Sequence, residues 1–324
     1  MLNTLVLRAL MQVLVLALTM AGNAIAAGYP ERPITIITSA AAGGANDILA
    51  RVLAKPLNQA LGQPIVVENR GGAGGIVGIG AVARARPDGY TLLLTSSSYV
   101  LLPSIRKQIP YDPYKDFMPI VEIGVSPNVF ITHPDSGINS VADLIALARS
   151  SDRVNYGTPG IGTTPQLAAE VLKMRAKINM VSVPFSGAAP TVQALLSRQV
   201  QVVVAALGSA MPQISGGLVK AIVQTGKERW PDLPNVPTMA EAGIPDAVSE
   251  TFFPVFAPAG TPPEIIDRLA KESIAILKQR DIRDRMRQTG VLVTASGPDA
   301  LRARVVQEVP KWKDVLEKAG IMPE

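Results

Sequence analysis

From residue 28 onward, short apolar runs alternate with segments in which apolar residues recur every three or four positions. The short runs predict buried strands at 34–38, 65–68, 90–95, 129–132, 154–156, 180–183, 200–206, 220–224 and 251–257. The longer spacing predicts helices at 47–61, 140–148, 166–174, 190–198, 261–278, 279–288 and 299–319. Strands that alternate with helices in this way are typical of an α/β fold with a parallel sheet.

Local signals mark where several of these elements begin and end. Ser140 and Asp143 have the spacing of a capping box, and so do Thr261 and Glu264. Pro310 predicts an interruption in the last helix. The proline-rich segment 230–237 is unsuited to regular structure and is interpreted as a crossing segment or domain boundary.

The first 26 residues have the composition of a secretory signal. Arg8 precedes an almost wholly apolar stretch at 9–20, and Ala24 and Ala26 place small residues at the positions that signal peptidase recognises. That stretch is shorter than the roughly 20 residues needed to span a bilayer. We therefore expect a signal peptide at 1–26, cleavage near Ala26 and a mature protein in the periplasm.

The composition excludes several kinds of chemistry. The chain has no cysteine and a single histidine, His133, which rules out thiol catalysis and a histidine-rich metal site. Lysine and arginine total 31 against 26 acidic residues, a net charge of +5, and only 4% of residues are aromatic. Scattered charge with few aromatic rings disfavours nucleic-acid binding, whereas a mild positive excess suits a small anion. We expect a monomer without metal or cofactor.

Three loops have a design suited to binding an anion. Residues 39–47, 159–165 and 184–190 each place small residues just before a predicted helix, where free N–H groups and the helix dipole favour negative charge. Hydroxyls at 95–98 follow another strand. Ligands of open α/β sheets bind at the carboxyl ends of the strands. Taken singly, each loop could equally be a tight turn, with Asn46 and Asp47 as N-caps of the first helix.

Two features could suggest an enzyme. Residues 71–80 are rich in glycine, but their spacing differs from G-x-G-x-x-G and the next strand lacks an acidic ribose ligand. A flexible turn that leads into a helix ending at Ala83 explains them. His133 lies in a predicted surface turn, and the chain has no G-x-S-x-G nucleophile elbow. A nicotinamide-dependent enzyme is therefore the alternative from a different functional class, and we expect no enzymatic activity.

Ordered motifs extend from Tyr29 to about Ile321. They are Tyr-Pro-Glu-Arg-Pro-Ile at 29–34, Gly-Gly at 43–44 with Asp-Ile-Leu-Ala-Arg at 47–51, Leu-Gly-Gln-Pro at 61–64 with Val-Glu-Asn-Arg at 67–70, Pro-Asp-Gly-Tyr-Thr-Leu-Leu-Leu at 87–94, Pro-Tyr-Asp-Pro at 110–113 with Lys-Asp-Phe at 115–117, Asn-Tyr-Gly at 155–157, Val-Pro-Thr at 236–238 with Glu-Ala-Gly at 241–243, and Phe-Ala-Pro-Ala-Gly-Thr-Pro at 256–262. Together and in this order, they resemble the Bug proteins, substrate-binding components linked to tripartite tricarboxylate transporters.

This resemblance implies a two-lobed periplasmic-binding-protein fold of type II, whose lobes close over a ligand by a hinge motion. We expect lobe 1 at 27–125 plus 228–324 and lobe 2 at 126–227. Family members hold a ligand carboxylate through backbone amides, hydroxyls and bridging waters. Carried over to this sequence, the implied ligand-binding residues are Ala42, Gly43, Gly44, Ala45, Asn46, Asp47, Thr95, Ser96, Gly162, Thr163, Thr164, Gln166, Phe185, Gly187 and Ala205.

Departures from the family pattern bear on the ligand. Residues 39–42 lack a phenylalanine that is common in the first loop, Gln166 stands where the family often has histidine, and Ala205 where an aspartate is frequent. The missing carboxylate disfavours an amino group, so the expected ligand is a di- or tricarboxylate or an aromatic acid. The receptor would deliver it to the permease subunits of the transporter. Sensing for a membrane signalling protein stays open, since both roles require the same closed form.

Overall fold

Ten strands form one mixed sheet in a computed structural model that describes residues 28–151, 154–245, 247–318 and 323. The predicted signal peptide lies outside these residues. The strands are β1 Ile34–Thr38, β2 Ile65–Asn69, β3 Thr91–Leu94, β4 Phe117–Thr132, β5 Asn155–Thr158, β6 Val181–Pro184, β7 Val202–Ala206, β8 Lys220–Gln224, β9 Glu250–Pro258 and β10 Leu292–Ser296. Their order is β2-β1-β3-β9-β4-β7-β5-β6, and β8 and β10 both pair with β4.

Ten α-helices cover the faces of this sheet in the described ranges. They are α1 Ala45–Leu61, α2 Ile76–Ala83, α3 Ser98–Ile105, α4 Val141–Ser150, α5 Thr164–Ala176, α6 Ala188–Leu196, α7 Leu207–Ser215, α8 Pro263–Leu277, α9 Arg280–Gln288 and α10 Pro298–Lys318. Across the described residues, every helix is too short or too polar to span a bilayer.

Helix ends test the predicted capping signals. Ser140 caps α4 as predicted, because its hydroxyl accepts the Asp143 N–H at 3.1 Å. The predicted capping box at Thr261 is wrong. The Thr261 hydroxyl donates to the Pro258 carbonyl at 2.8 Å, and Pro262 is the N-cap of α8. The expected interruption of α10 is also wrong, because this helix is continuous through Pro310.

Among the described strands, the sheet is parallel in two groups and antiparallel between them, which corrects the expectation of a parallel layout. Strand β1 runs parallel to β2 and β3, and β5 runs parallel to β6 and β7. Between these two groups, β4 and β9 pair antiparallel. The 16-residue β4 pairs with β9 as far as Pro127 and with β7 from Asn128 onward, so it passes from one half of the sheet to the other.

The sequence pattern identified only the last four residues of β4. Fifteen of its 16 residues are buried, so the strand lacks the alternation of exposed and buried positions that marks a half-buried strand. Pro119, Gly124 and Pro127 also interrupt the segment with residues that normally end strands. The pairing with β9, 123 positions further along at Pro127↔Glu250, therefore comes from tertiary contacts.

Hydrophobic cores cover both halves of the sheet. In the first half, α1, α8 and α9 bury side chains such as Leu53 and Leu269 against β1 and β3, and Tyr99 and Trp312 belong to a second core. In the second half, one core contains Tyr156, and another contains residues of α6 and α7. Each large apolar side chain buried in this way contributes about 1.5–3 kcal/mol, and these cores hold the loops between strands and helices in place.

Candidate ligand-binding site

A cavity of about 480 Å³ lies where the two halves of the sheet meet. Its wall includes Ser126 from β4 and Phe253 from β9, which are the two strands that connect the halves. All three predicted loops reach it, through Gly43 to Ala45, Pro159 and Ala188. The remaining lining residues are Ile48, Ala206, Gly208, Ser209, Pro212, Gln288, Thr289 and Val291.

Three helices begin at this cavity. Their N-caps are Gly44 for α1, Gly187 for α6 and Ala206 for α7, and none of these residues has a side-chain acceptor for the first-turn N–H groups. Each helix N-terminus carries about half a positive charge. Among the described residues that line the cavity, none carries a formal charge. An anion in this space would therefore meet the positive dipole ends of three helices, and no carboxylate belongs to the described lining residues.

Helix α7 was missed by sequence reasoning. Gly208 and Pro212 lie within its nine residues, and both residue types disfavour helix interiors. The signal that could have revealed it is the one used for the three loops, namely small residues directly after a predicted strand. Residues at the start of α7 line the cavity, and so do Ser126, Phe253 and the end of α9, which no sequence motif singled out.

Asp47 shapes the first loop from inside. Its carboxylate accepts the Gly43 N–H at 2.9 Å, Arg51 Nε at 2.9 Å and Asn69 Nδ2 at 3.0 Å. Burial alone would raise the pKa of Asp47, but these hydrogen bonds outweigh it and hold the pKa below its ordinary value. The N-cap is Gly44, so the prediction that Asn46 or Asp47 caps α1 is wrong. Asp47 instead lies at the third helical position and reaches back to the loop, as an acidic residue does in a capping box.

A chain of hydrogen bonds connects the first loop to the end of β3. Asn46 Nδ2 donates to Ser39 Oγ at 3.2 Å, and Ser39 Oγ lies 2.7 Å from Thr95 Oγ1. All three side chains are buried. Ser96 is half-buried, and its hydroxyl lies 3.1 Å from that of Ser98. Of these predicted residues, Asn46 and Thr95 are thus engaged in holding the loop.

In the second loop, the predicted polar groups make hydrogen bonds within the protein. The Gly162 N–H donates to Gln166 Oε1 at 2.6 Å, and the Thr163 hydroxyl donates to the Gly160 carbonyl at 2.8 Å. The Thr164 hydroxyl pairs with that of Thr251 on β9. These bonds fix the loop at the N-terminus of α5, while Pro159 is the residue of this loop that reaches the cavity wall.

The remaining predicted residues lie at different depths. Ala42 is exposed in the first loop, and Phe185 is half-buried against the core beneath α6. Gly187 precedes Ala188 at the cavity. Ala205 is fully buried in the core, whereas its neighbour Ala206 lines the cavity, because successive strand residues point to opposite faces.

Comparison with known proteins places these observations in a family. The family model described as "Tripartite tricarboxylate transporter family receptor", TctC, matches residues 49–321. The structure of the periplasmic binding protein BugD is 36% identical, with a TM-score of 0.82 over 91% of this chain and 100% of that one.

Two similar structures contain bound acids. The Rpa4515 protein of R. palustris, with adipate, is 32% identical, with a TM-score of 0.85 over 91% of this chain and 100% of that one. MatC (Rpa3494) of Rhodopseudomonas palustris, with bound malate, is 32% identical, with a TM-score of 0.78 over 89% of this chain and 100% of that one. The chain has the two-lobed α/β fold of periplasmic binding proteins. Because the family model covers most of its length, the chain belongs to the tripartite tricarboxylate transporter receptor family.

Proposed function

We propose that this receptor binds a small carboxylate in the 480 Å³ cavity and delivers it to the permease of a tripartite transporter. The observation that carries the proposal is the meeting of the N-termini of α1, α6 and α7 at an uncharged cavity wall. Backbone N–H groups would donate charge-assisted hydrogen bonds to the carboxylate, and such bonds are stronger than those between neutral groups. A dedicated arginine is not needed for this kind of recognition.

The proposed lobes are residues 27–125 plus 228–324 and residues 126–227. The switch of β4 from β9 to β7 at Asn128 supports the first boundary. The chain returns between the end of β8 at Gln224 and the start of β9 at Glu250, which supports the second. With these two crossings in the described part of the chain, the cleft could open and close by small changes in the two crossing segments.

The character of the wall narrows the ligand class. Ile48, Phe253 and Val291 provide apolar surface, and an ammonium group would find no carboxylate among the described lining residues. The related structures with adipate and with bound malate also hold acids without an amino group. We therefore favour a dicarboxylate, a tricarboxylate or an aromatic acid, and its apolar part would pack on these side chains.

Isothermal titration calorimetry of the chain from residue 27 onward tests this proposal. The panel is malate, adipate, citrate, benzoate, aspartate, glutamate and NAD. We expect at least one acid without an amino group to bind with a Kd of roughly 1 μM or below. Tight binding of aspartate or glutamate with no heat from the other acids would refute the ligand class. Binding of NAD alone would refute the receptor function.

A pair of glycine variants tests whether the cavity is the binding site. Gly43 and Gly137 both have positive φ, +79° and +75°, and a β-carbon at either position would meet no atom within 4 Å. Valine therefore introduces similar backbone strain at both positions, but only Gly43 lines the cavity. We expect Gly43→Val to weaken acid binding at least tenfold and Gly137→Val to leave it unchanged. Equal effects of the two variants would place the site elsewhere.

Delivery to a permease is tested in cells. Deletion of the gene should abolish uptake of the isotopically labelled acid that binds the purified chain. If uptake is unchanged while a transcriptional response to that acid is lost, the protein is a sensor and the transport role is refuted.

A further inference from the structure

Two glycines bring distant segments into direct backbone contact beside the cavity. Gly208 lies in the first turn of α7, and Gly290 lies in the turn between α9 and β10. A β-carbon at Gly208 would come closer than 3.0 Å to the Thr289 carbonyl oxygen, and one at Gly290 would come equally close to the backbone of Gly208. Real β-carbons essentially never approach other atoms so closely. The two segments can therefore pack in this way only because both residues lack a side chain.

This contact joins the two proposed lobes. Leu207 and Ala210 anchor α7 in a core that also contains Val129, on the lobe 2 part of β4. The other segment is anchored in lobe 1, because Leu292 pairs with Val125 and Met286 belongs to a core with the helices of that half. The contact also borders the cavity, since its neighbours Thr289 and Val291 line the wall together with Gly208.

Glycine is required at positions 290 and 208 for different reasons. Gly290 has a φ of +77°, and the N–H of the next residue, Val291, donates to the Met286 carbonyl at 3.0 Å, an ordinary glycine end to a helix. Gly208 lies inside a helix, where alanine would be the more favourable residue. No local requirement of the helix therefore accounts for Gly208, and the contact with the other lobe does.

We propose that Gly208 and Gly290 form the closure contact of the receptor, where the lobes meet backbone to backbone and seal one wall of the cavity. This inference rests on the proposed function, in which the lobes close over a carboxylate. A side chain at position 208 would hold the lobes apart while leaving the first, second and third loops intact. Gly208 is thus a positioning residue that sets the affinity through the extent of closure.

Fluorescence energy transfer between the lobes measures closure directly. The chain has no cysteine, so two introduced cysteines can be labelled specifically. Val66 on β2 and Val181 on β6 are 49% and 47% exposed and lie on the first and last strands in the sheet order. The labelled variant Val66→Cys, Val181→Cys therefore reports the distance between the outer edges of the two lobes.

The test compares Gly208→Ala with the unchanged residue in this labelled background. The probe is the acid of the calorimetry panel that binds the wild-type chain most tightly. We expect that acid to populate a second, distinct transfer state in the parent and not in Gly208→Ala. The affinity should fall at least tenfold, mainly through faster dissociation, because an incompletely closed cleft releases its ligand sooner. The melting temperature of the unliganded variant should equal or exceed that of the parent, since alanine favours the helix.

Gly216→Ala is the matched control. Gly216 is the C-cap of the same helix, with a φ of −78°, and its β-carbon would lie 3.2 Å from the Pro212 carbonyl oxygen. This variant should bind and close like the parent. If Gly208→Ala closes normally and binds as tightly as the parent, the proposed closure contact is refuted.

The outcome separates this inference from the proposed function. If no acid binds the wild-type chain, the proposed function fails. Single-molecule transfer in the unliganded chains then still tests the contact, because the parent should visit a closed state that Gly208→Ala does not reach. A parent without such a state, or a variant that shares it, would overturn the inference.

Discussion

Replacing Asp47 by alanine should loosen the first loop while leaving the cavity uncharged. Asp47 is 4% exposed, and its carboxylate accepts three hydrogen bonds, from Gly43, Arg51 and Asn69. Alanine removes all three acceptor contacts but adds no bulk. The N–H of Gly43 then loses the group that holds it, and Gly43 belongs to the cavity wall.

The expected loss of unfolding free energy depends on whether each of the three donors finds another acceptor in the alanine variant. A hydrogen bond to a charged group contributes about 1.5–3 kcal/mol when both partners are buried. The Arg51 side chain is 58% exposed, so that ion pair contributes no more than about 1 kcal/mol. Asn69 Nδ2 keeps the Thr38 hydroxyl at 2.8 Å, and water can reach the exposed Gly43. We therefore expect a total loss of about 2–3 kcal/mol in the free energy of unfolding.

Urea denaturation of wild type, Asp47→Ala and Asp47→Asn measures this loss. A shift in midpoint with an unchanged m-value is the expected result. Asparagine should recover part of the loss, because its carbonyl oxygen can still accept the Gly43 N–H. The affinity of the alanine variant for the bound acid should also fall about tenfold, which corresponds to about 1.4 kcal/mol of lost preorganisation.

The stabilisation by the Asp47 carboxylate should decrease as the pH falls. The pKa of Asp47 is lower in the folded chain than its ordinary value of 3.8, so its charged form stabilises the fold. This stabilisation is fully present above the ordinary value and is lost as the pH falls through the folded pKa. The difference in unfolding free energy between wild type and Asp47→Asn should be constant from about pH 6 to 8 and shrink below about pH 4. If it is zero at neutral pH, or grows on acidification, the structural role assigned to this carboxylate is refuted.

Three further predictions concern the second loop, the first loop and the β4 core. Thr163→Ala should weaken acid binding by about 1–2 kcal/mol, because the second loop loses the hydrogen bond from this hydroxyl to the Gly160 carbonyl, and unchanged affinity in calorimetry would contradict a role for this bond in shaping the cavity wall. Gly43→Val should lower the stability by about 1–2 kcal/mol in urea denaturation, as Gly137→Val should, because both force a side chain into positive φ. Arg304→Met should lower the free energy of unfolding by about 3–5 kcal/mol, because it removes the cation 2.9 Å from Glu122, whose side chain is 3% exposed and keeps the neutral Thr294 hydroxyl. Glu122→Gln in the same chain should restore part of this loss, and a loss below about 1 kcal/mol in urea denaturation would contradict the pairing.

The amino-acid sequence alone was enough for the elements whose signals are local. Strand β1, the Ser140 cap and the helix over 280–288 follow from hydrophobic periodicity and turn chemistry within a few residues. The three loops were predicted from small residues between strands and helices, and the structure brings all three to one cavity. The family followed from ordered motifs that span most of the chain, and the comparisons confirm it.

Tertiary structure decided the features that depend on partners far away in the chain. The first part of β4 is a strand because β9 and β10 pair with it, and α7 forms although glycine and proline lie within it. Asp47 is a structural residue because Asn69 and Gly43 converge on it, which no spacing in the sequence specifies. The contact between Gly208 and Gly290 joins segments more than 80 residues apart. Hydrophobic periodicity indicates which face of a helix or strand is buried. Which residues pack against that face depends on the tertiary structure of the whole chain.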